Sequence, residues 1–175
     1  FAPIQCQRGS YQPNIGSNSC FLASPGHYVA ESGSKVQERC MPGSFQPEYG
    51  GVSCMEAQLG YFVTSIGSNS QESCPTGSFT EYTGSTSINQ CKISSPGYYS
   101  QWGFYNQCPA GFYQPEPAGT ECIEAEPGYY VPSPGSAVQT PSSRGYYSPG
   151  SGSSAQLPCP AGSYQPEPAG TECIE

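Results

Sequence analysis

One period governs this chain: a glycine followed two residues later by an aromatic ring, ten times over. The glycines are Gly9, Gly26, Gly43, Gly60, Gly77, Gly97, Gly111, Gly128, Gly145 and Gly162. They lie 17 residues apart except from Gly77 to Gly97 to Gly111, where spacings of 20 and 14 restore the phase at once. The rings are Tyr11, Tyr28, Phe45, Phe62, Phe79, Tyr99, Tyr113, Tyr130, Tyr147 and Tyr164. A fixed internal period excludes a fold built around one central core, because a repeat unit buries its apolar face only against its neighbours. We refer to each 17-residue unit as a rung. Copying is closest between CPAGFYQPEPAGTECIE, residues 108–124, and CPAGSYQPEPAGTECIE, residues 159–175.

Two kinds of rung occur. One carries cysteine three residues before the leading glycine and again near its end, at 6–22, 40–56, 74–93, 108–124 and 159–175. The other has Ala23, Ala57, Ser94, Ala125 or Ser142 at the first place, and usually Gln37, Gln71, Gln139 or Gln156 at the second. The kinds alternate until the eighth and ninth rungs, which are both cysteine-free. Because the two cysteines of a rung appear or vanish together, pairing within rungs is expected: Cys6–Cys20, Cys40–Cys54, Cys74–Cys91, Cys108–Cys122 and Cys159–Cys173. The rival scheme, Cys20 with Cys40 and so on, would strand Cys6 and Cys173 and require Cys122 to reach Cys159 across two rungs. Residues 1–5 precede the first rung and read as a leader or a joint between subunits, leaving 6–175 as a tandem array of ten rungs.

Local chemistry points to short β-hairpins. Residues around each ring favour strands, the middle of each rung (NIGS, PEPAG, SPGS) is turn-forming, and the return (NSC, TEC, AVQ) is short and polar. No segment has a helical apolar period, and Pro or Gly interrupts every stretch long enough for a helix. Successive residues of a strand face opposite ways, so the invariant ring is expected to mark a buried stripe, with the ten rings stacked into a core. The residue before it is Ser or Phe112 in cysteine rungs but His27, Tyr61, Tyr98, Tyr129 or Tyr146 in the others, so a rung without a disulfide carries a second ring. The expected fold is all-β and disulfide-rich with almost no helix: an elongated rod of stacked hairpins, roughly 100 Å long at ~4.8 Å per strand.

Bulk properties narrow the setting. Ten regularly spaced cysteines favour an oxidising, extracellular compartment, secreted or at a cell surface. A formal charge of −8 argues against nucleic acid. No apolar run is long enough to insert in a membrane. No charged-then-apolar leader opens the chain, which implies a removed signal peptide or an excised segment.

The pattern C-P-x-G-[SF]-[YF]-x-P, followed by a glycine and a closing cysteine, as in Cys108 to Cys122 and Cys159 to Cys173, resembles the ephrin-receptor-like cysteine-rich repeat. The resemblance is specific in the five cysteine rungs and extends along the chain as glycine plus ring. It implies small, disulfide-bonded, β-rich extracellular spacers without catalytic activity. Family modules commonly abut through C-x-x-C, whereas a cysteine-free rung is interposed here.

Chemistry-bearing residues are few. His27 is the only histidine and aspartate is absent, so a Ser-His-Asp triad cannot be assembled and no enzyme is expected. No cofactor or metal is expected either: zinc sites need close cysteine pairs, and EF-hand loops need aspartates. Glu116, Glu121, Glu124 and Glu126 read as solvated charge. The irregular stretch 91–107 holds the one tryptophan, and Tyr98, Trp102, Phe104 and Tyr105 form a candidate interface, since Trp and Tyr dominate interface hot spots. Ser24, Ser95, Ser133, Thr140 and Ser148 adjoin prolines and are candidates for O-linked glycans. The function expected is a structural subunit or segment of an extracellular fibre, surface appendage or matrix, its copies joined head to tail. The alternative is the repeat stalk or ligand-binding module of an adhesin or receptor.

Overall fold

Each rung turns on its leading glycine, for a reason written in the backbone. In the computed structural model, which describes residues 5–175, the N–H after that glycine bonds the carbonyl two residues before it, as in His27 to Ser24 at 2.9 Å and Ser44 to Met41 at 3.0 Å. The glycine is the third residue of the turn and has positive φ, +79° at Gly26, the geometry of a type II turn; Pro25 and Pro42 occupy the second place, where a fixed φ suits them. A serine after the glycine, such as Ser10 or Ser44, adds a hydroxyl bond to the same carbonyl at 2.8 Å. Residues 1–4 of the expected leader lie outside the described residues.

The described residues divide into two compact units, the first running to residue 74 and taking in 80–91, the second made of 75–79 with 92–175. The first contains hairpins β1 (Ser10–Tyr11) with β2 (Phe21–Leu22), β3 (His27–Tyr28) with β4 (Glu38–Arg39), β5 (Ser44–Phe45) with β6 (Met55–Glu56), and β7 (Tyr61–Phe62) with β8 (Glu72–Ser73). The second contains β9 (Ser78–Phe79) with β10 (Lys92–Ile93), β11 (Tyr98–Gln101) with β12 (Phe104–Gln107), β13 (Phe112–Tyr113) with β14 (Ile123–Glu124), β15 (Tyr129–Tyr130) with β16 (Thr140–Pro141), and β17 (Tyr146–Tyr147) with β18 (Leu157–Pro158). Every pair is antiparallel. In the regular rungs the return strand falls after the closing Cys or Gln, not on the NSC, TEC or AVQ residues expected from sequence: Tyr11 faces Phe21 and Tyr113 faces Ile123. Closure just outside the strand pair leaves the intervening residues free to form a wide loop.

Within each unit, rungs join through backbone. Gly26 donates to Gln46 and Val29 to Gly51 of the next rung, at 2.7 and 2.9 Å; in the second unit Gly111 donates to Val131 and Gln114 to Ser136, at 2.9 and 3.2 Å. The residue opening a rung sits between two others: Ala57 N donates to Gly43 O, while Ala57 O accepts from Gly84 N, both at 2.8 Å. These junction residues, Ala23, Cys40 and Ala57 in one unit and Ser94, Cys108, Ala125 and Ser142 in the other, are 0% exposed. Crowding there is severe enough that a Cβ on Gly26 would collide with the carbonyl oxygen of Gly67. That is why the leading position is glycine and the opening residue is never larger than half-cystine.

This packing corrects the expected aromatic core. Phe45 and Phe62 are buried, but Tyr11, Tyr28, Phe79, Tyr99, Tyr113, Tyr130 and Tyr147 are only half-buried, and Tyr164 is 55% exposed. Within each unit no ring of this set stacks on that of the next rung; Tyr11 meets its own cross-strand neighbour Phe21, centroids 6.0 Å apart. The interior is filled by the junction residues and by Val29, Val63 and Val131, one residue beyond the ring. Rungs approach closely through glycine backbone, and a gap that narrow admits small side chains while rings cover its edge.

The two kinds of rung close differently on one plan. All five within-rung cysteine pairs are bridged, with Cα atoms 5.7–5.8 Å apart. In cysteine-free rungs the glutamine at the second cysteine's place turns its Oε1 onto the N–H beside the opening residue: Gln37 to Ser24 at 2.7 Å, Gln71 to Gln58 at 2.8 Å, Gln139 to Glu126 at 2.7 Å and Gln156 to Ser143 at 2.6 Å. Cysteine rungs use a different glutamine to hold their loops. Gln46 Nε2 donates to Ser53 O at 2.7 Å while its Oε1 accepts from Glu48 N at 3.1 Å, and Gln114 does the same with Glu121 and Glu116. The longest rung, closed by Cys74–Cys91, absorbs its three extra residues as a 3-10 turn at Ile88–Gln90 capped by Ser87.

Candidate interaction surface

The shortest rung is where the second unit departs from its own rule. The β11–β12 hairpin has four-residue strands joined by Trp102 and Gly103, with φ of +50° and +80°. Two consecutive positive values define a type I′ turn, whose first place ordinarily goes to Asn, Asp or Gly. An indole there costs about 1–2 kcal/mol in backbone strain.

The hairpin's two faces differ. Tyr98, Ser100, Tyr105 and Gln107 share the inner face by register. Ser100 is buried, and its hydroxyl donates to Ser78 O at 2.8 Å. Tyr105 lies between Phe79, centroids 4.4 Å apart, and Tyr98, at 4.8 Å with planes only 9° apart. Gln107 Nε2 donates to the Tyr98 hydroxyl at 3.3 Å. Two of the four candidate interface rings therefore support the hairpin. The other two are displayed: Trp102 is 81% exposed at the tip, and Phe104 is 56% exposed. Phe104 pairs across the strands with the exposed Gln101, and Tyr99 pairs with Asn106, on the outer face.

The remaining candidates separate by burial. Ser95, Ser133 and Thr140 are exposed and Ser24 is half-buried. Ser148 is a correction: it is 0% exposed in the position that Val131 holds one rung earlier, so no glycan can reach it. Its Oγ is the one buried side-chain polar atom left without a hydrogen bond among the described residues. Glu116, Glu121, Glu124 and Glu126 are all exposed, and Glu124 accepts from Ser151 Oγ at 2.8 Å. Among the described residues no group of three His, Cys, Asp or Glu could hold a metal ion, and no helix is long and apolar enough to cross a membrane. His27 Nδ1 lies 3.2 Å from Pro25 O. Tyr28 donates to Glu38 Oε2 at 2.7 Å, and this bond, with burial and the Glu38 charge adding to it, raises the phenol pKa above its ordinary value.

No cysteine is free among the described residues, as befits an oxidising compartment. Residues 4–40, the first cysteine rung, the whole cysteine-free rung after it and Cys40, match the family model described as tyrosine-protein kinase ephrin type A/B receptor-like. No curated protein matches the chain.

Proposed function

We propose that this chain is a non-catalytic structural segment of an extracellular or cell-surface protein, built as an elongated stack of rungs and able to join other copies of itself head to tail. The disulfides and the match over 4–40 support the extracellular, receptor-type setting. The observation that carries the structural reading is the repeated junction: within each unit, successive rungs from 6–22 to 57–73 and from 94–107 to 142–158 offer the next rung two N–H donors and one carbonyl acceptor in the same positions. In the last rung the equivalent groups are Gly162 N, Gln165 N and Cys159 O. In the first, their complements are Gln12 O, Ser17 O and Gly16 N. A rung docking in register, supplied by another copy, extends the lattice with these three bonds, and a head-to-tail contact whose rotation does not close into a ring builds an open filament. Small-angle scattering and sedimentation of the oxidised chain across a concentration series test this. Elongated particles whose mass grows with concentration are expected, whereas compact monomers throughout would overturn it.

Exposed Ser95, Ser133 and Thr140 carry O-linked glycans in this reading, with half-buried Ser24 a poorer acceptor. An intact mass equal to the bare polypeptide from the native source removes that element. A second reading, a ligand-binding stalk, is favoured by the displayed Trp102.

A further inference from the structure

The outer face of the β11–β12 hairpin combines three properties. First, it presents an indole at a tip whose backbone geometry disfavours a bulky residue, on a hairpin anchored from beneath by the Phe79–Tyr105–Tyr98 stack. Exposed as it is, Trp102 recovers little of that strain within the fold, and strain held at a rigid, exposed position is a feature of binding sites. Second, the polar groups beside Trp102 and Phe104 are amides: Gln101 is exposed, and Asn106, on the same face by register, uses Nδ2 on Phe104 O and keeps its side-chain oxygen as an acceptor. Third, residues 93–115 contain no Lys, Arg, Asp, Glu or His in a chain of formal charge −8.

From these we propose that the Trp102 hairpin binds a neutral carbohydrate, the apolar face of a pyranose ring stacking on the indole while Gln101 and Asn106 meet its hydroxyls. The charge pattern selects this occupant. An ionic ligand would find no counter-charge on the hairpin itself, Lys92 lying on β10 opposite Phe79, and an anionic lipid or nucleic acid would be repelled by the net negative charge of the chain. A neutral sugar presents C–H faces and hydroxyls together, which is what an aromatic tip edged by amides matches. The inference is independent of whether copies assemble through their terminal rungs, since Trp102 belongs to neither.

Because Trp102 is the sole tryptophan, its fluorescence reports this site alone. Titration of the oxidised chain with neutral hexasaccharides of glucose, of N-acetylglucosamine and of mannose should give a saturable blue shift with at least one. Trp102→Asn places a residue tolerant of the turn where the indole stands, so it should raise the thermal midpoint and weaken binding at least about tenfold by calorimetry; Trp102→Phe should retain part of the affinity. The proposal is overturned if none of the three sugars shifts the emission, or if Trp102→Asn binds as tightly as the parent. It is equally overturned if the shift appears only with phosphatidylcholine vesicles, which marks a membrane contact, or only on raising protein concentration, which marks self-docking.

Discussion

The rungs at 40–56 and 57–73 follow the same backbone course and are held by different chemistry. The first has a disulfide from Cys40 to Cys54 and a loop clamped by Gln46; the second has the Gln71 side chain on Gln58 N and a buried Val63 in place of the clamp. Covalent closure tolerates a polar residue beyond the ring, while the rung without it places a valine inside. The second rings of the cysteine-free rungs contribute less than the sequence implied, since Tyr61 and Tyr98 are half-buried and Tyr146 is exposed. In the rung at 57–73 compensation for the missing disulfide thus lies mainly in a glutamine and a valine.

The sharpest way to break both kinds of rung at once is at their shared junction. Gly26→Ala combines left-handed strain with collision against Gly67 O, and should cost about 4 kcal/mol by denaturant unfolding. Gly16→Ala, with positive φ but nothing near its Cβ position, should cost only about 1–2 kcal/mol. A Gly26 variant no worse than the Gly16 one would mean that the junction is looser than described.

Next in size is the closure itself. Replacing Cys40 and Cys54 together by serine should cost about 3 kcal/mol, and Gln71→Ala about 1, read from the same unfolding curves. Equal losses would remove the distinction between the two kinds.

The ninth rung departs from the valine rule, with Ser148 buried and its hydroxyl unpaired. Ser148→Val should therefore stabilise the chain, by about 1 kcal/mol; destabilisation would show that valine is excluded there by size. Smallest is the Tyr28–Glu38 bond. Because the folded phenol has a raised pKa, its contribution is complete below the unfolded value near 10 and is lost as pH climbs through the folded value. Tyr28→Phe should lower stability by a small constant amount below that alkaline range and flatten the profile within it, as followed by ellipticity, so that variant and parent converge at high pH.

How much of this was legible beforehand depends on the residue. Glycine spacing announced the turns because positive φ at Gly9 or Gly26 is a demand that few other residues meet. Paired presence and absence of cysteines pointed to Cys40–Cys54 because a bridge needs both ends. Gln37, Gln71, Gln139 and Gln156 stood in the cysteine's place in plain view; what that meant required the positions of Ser24 N and its equivalents, which no linear pattern supplies. Trp102 drew attention by composition, yet Tyr98 and Tyr105 looked equally available until their stacking was seen. Ser148 followed a Ser-Pro rule for exposed residues, while its place one beyond the ring put it inside.

Sequence alone determined the unit, its length, its turns and its cross-links, because each rests on a local constraint: a dihedral that glycine satisfies, a ring fixed by proline, a bond between two sulfurs. Only the tertiary structure decided which side chains are inside, since burial depends on how near a rung comes to the one after next, as Gly26 does to Gly67. Glycine backbones bring neighbours so close that alanine, serine, half-cystine and valine fill the interior, and the rings that marked the period are left to cover its margin.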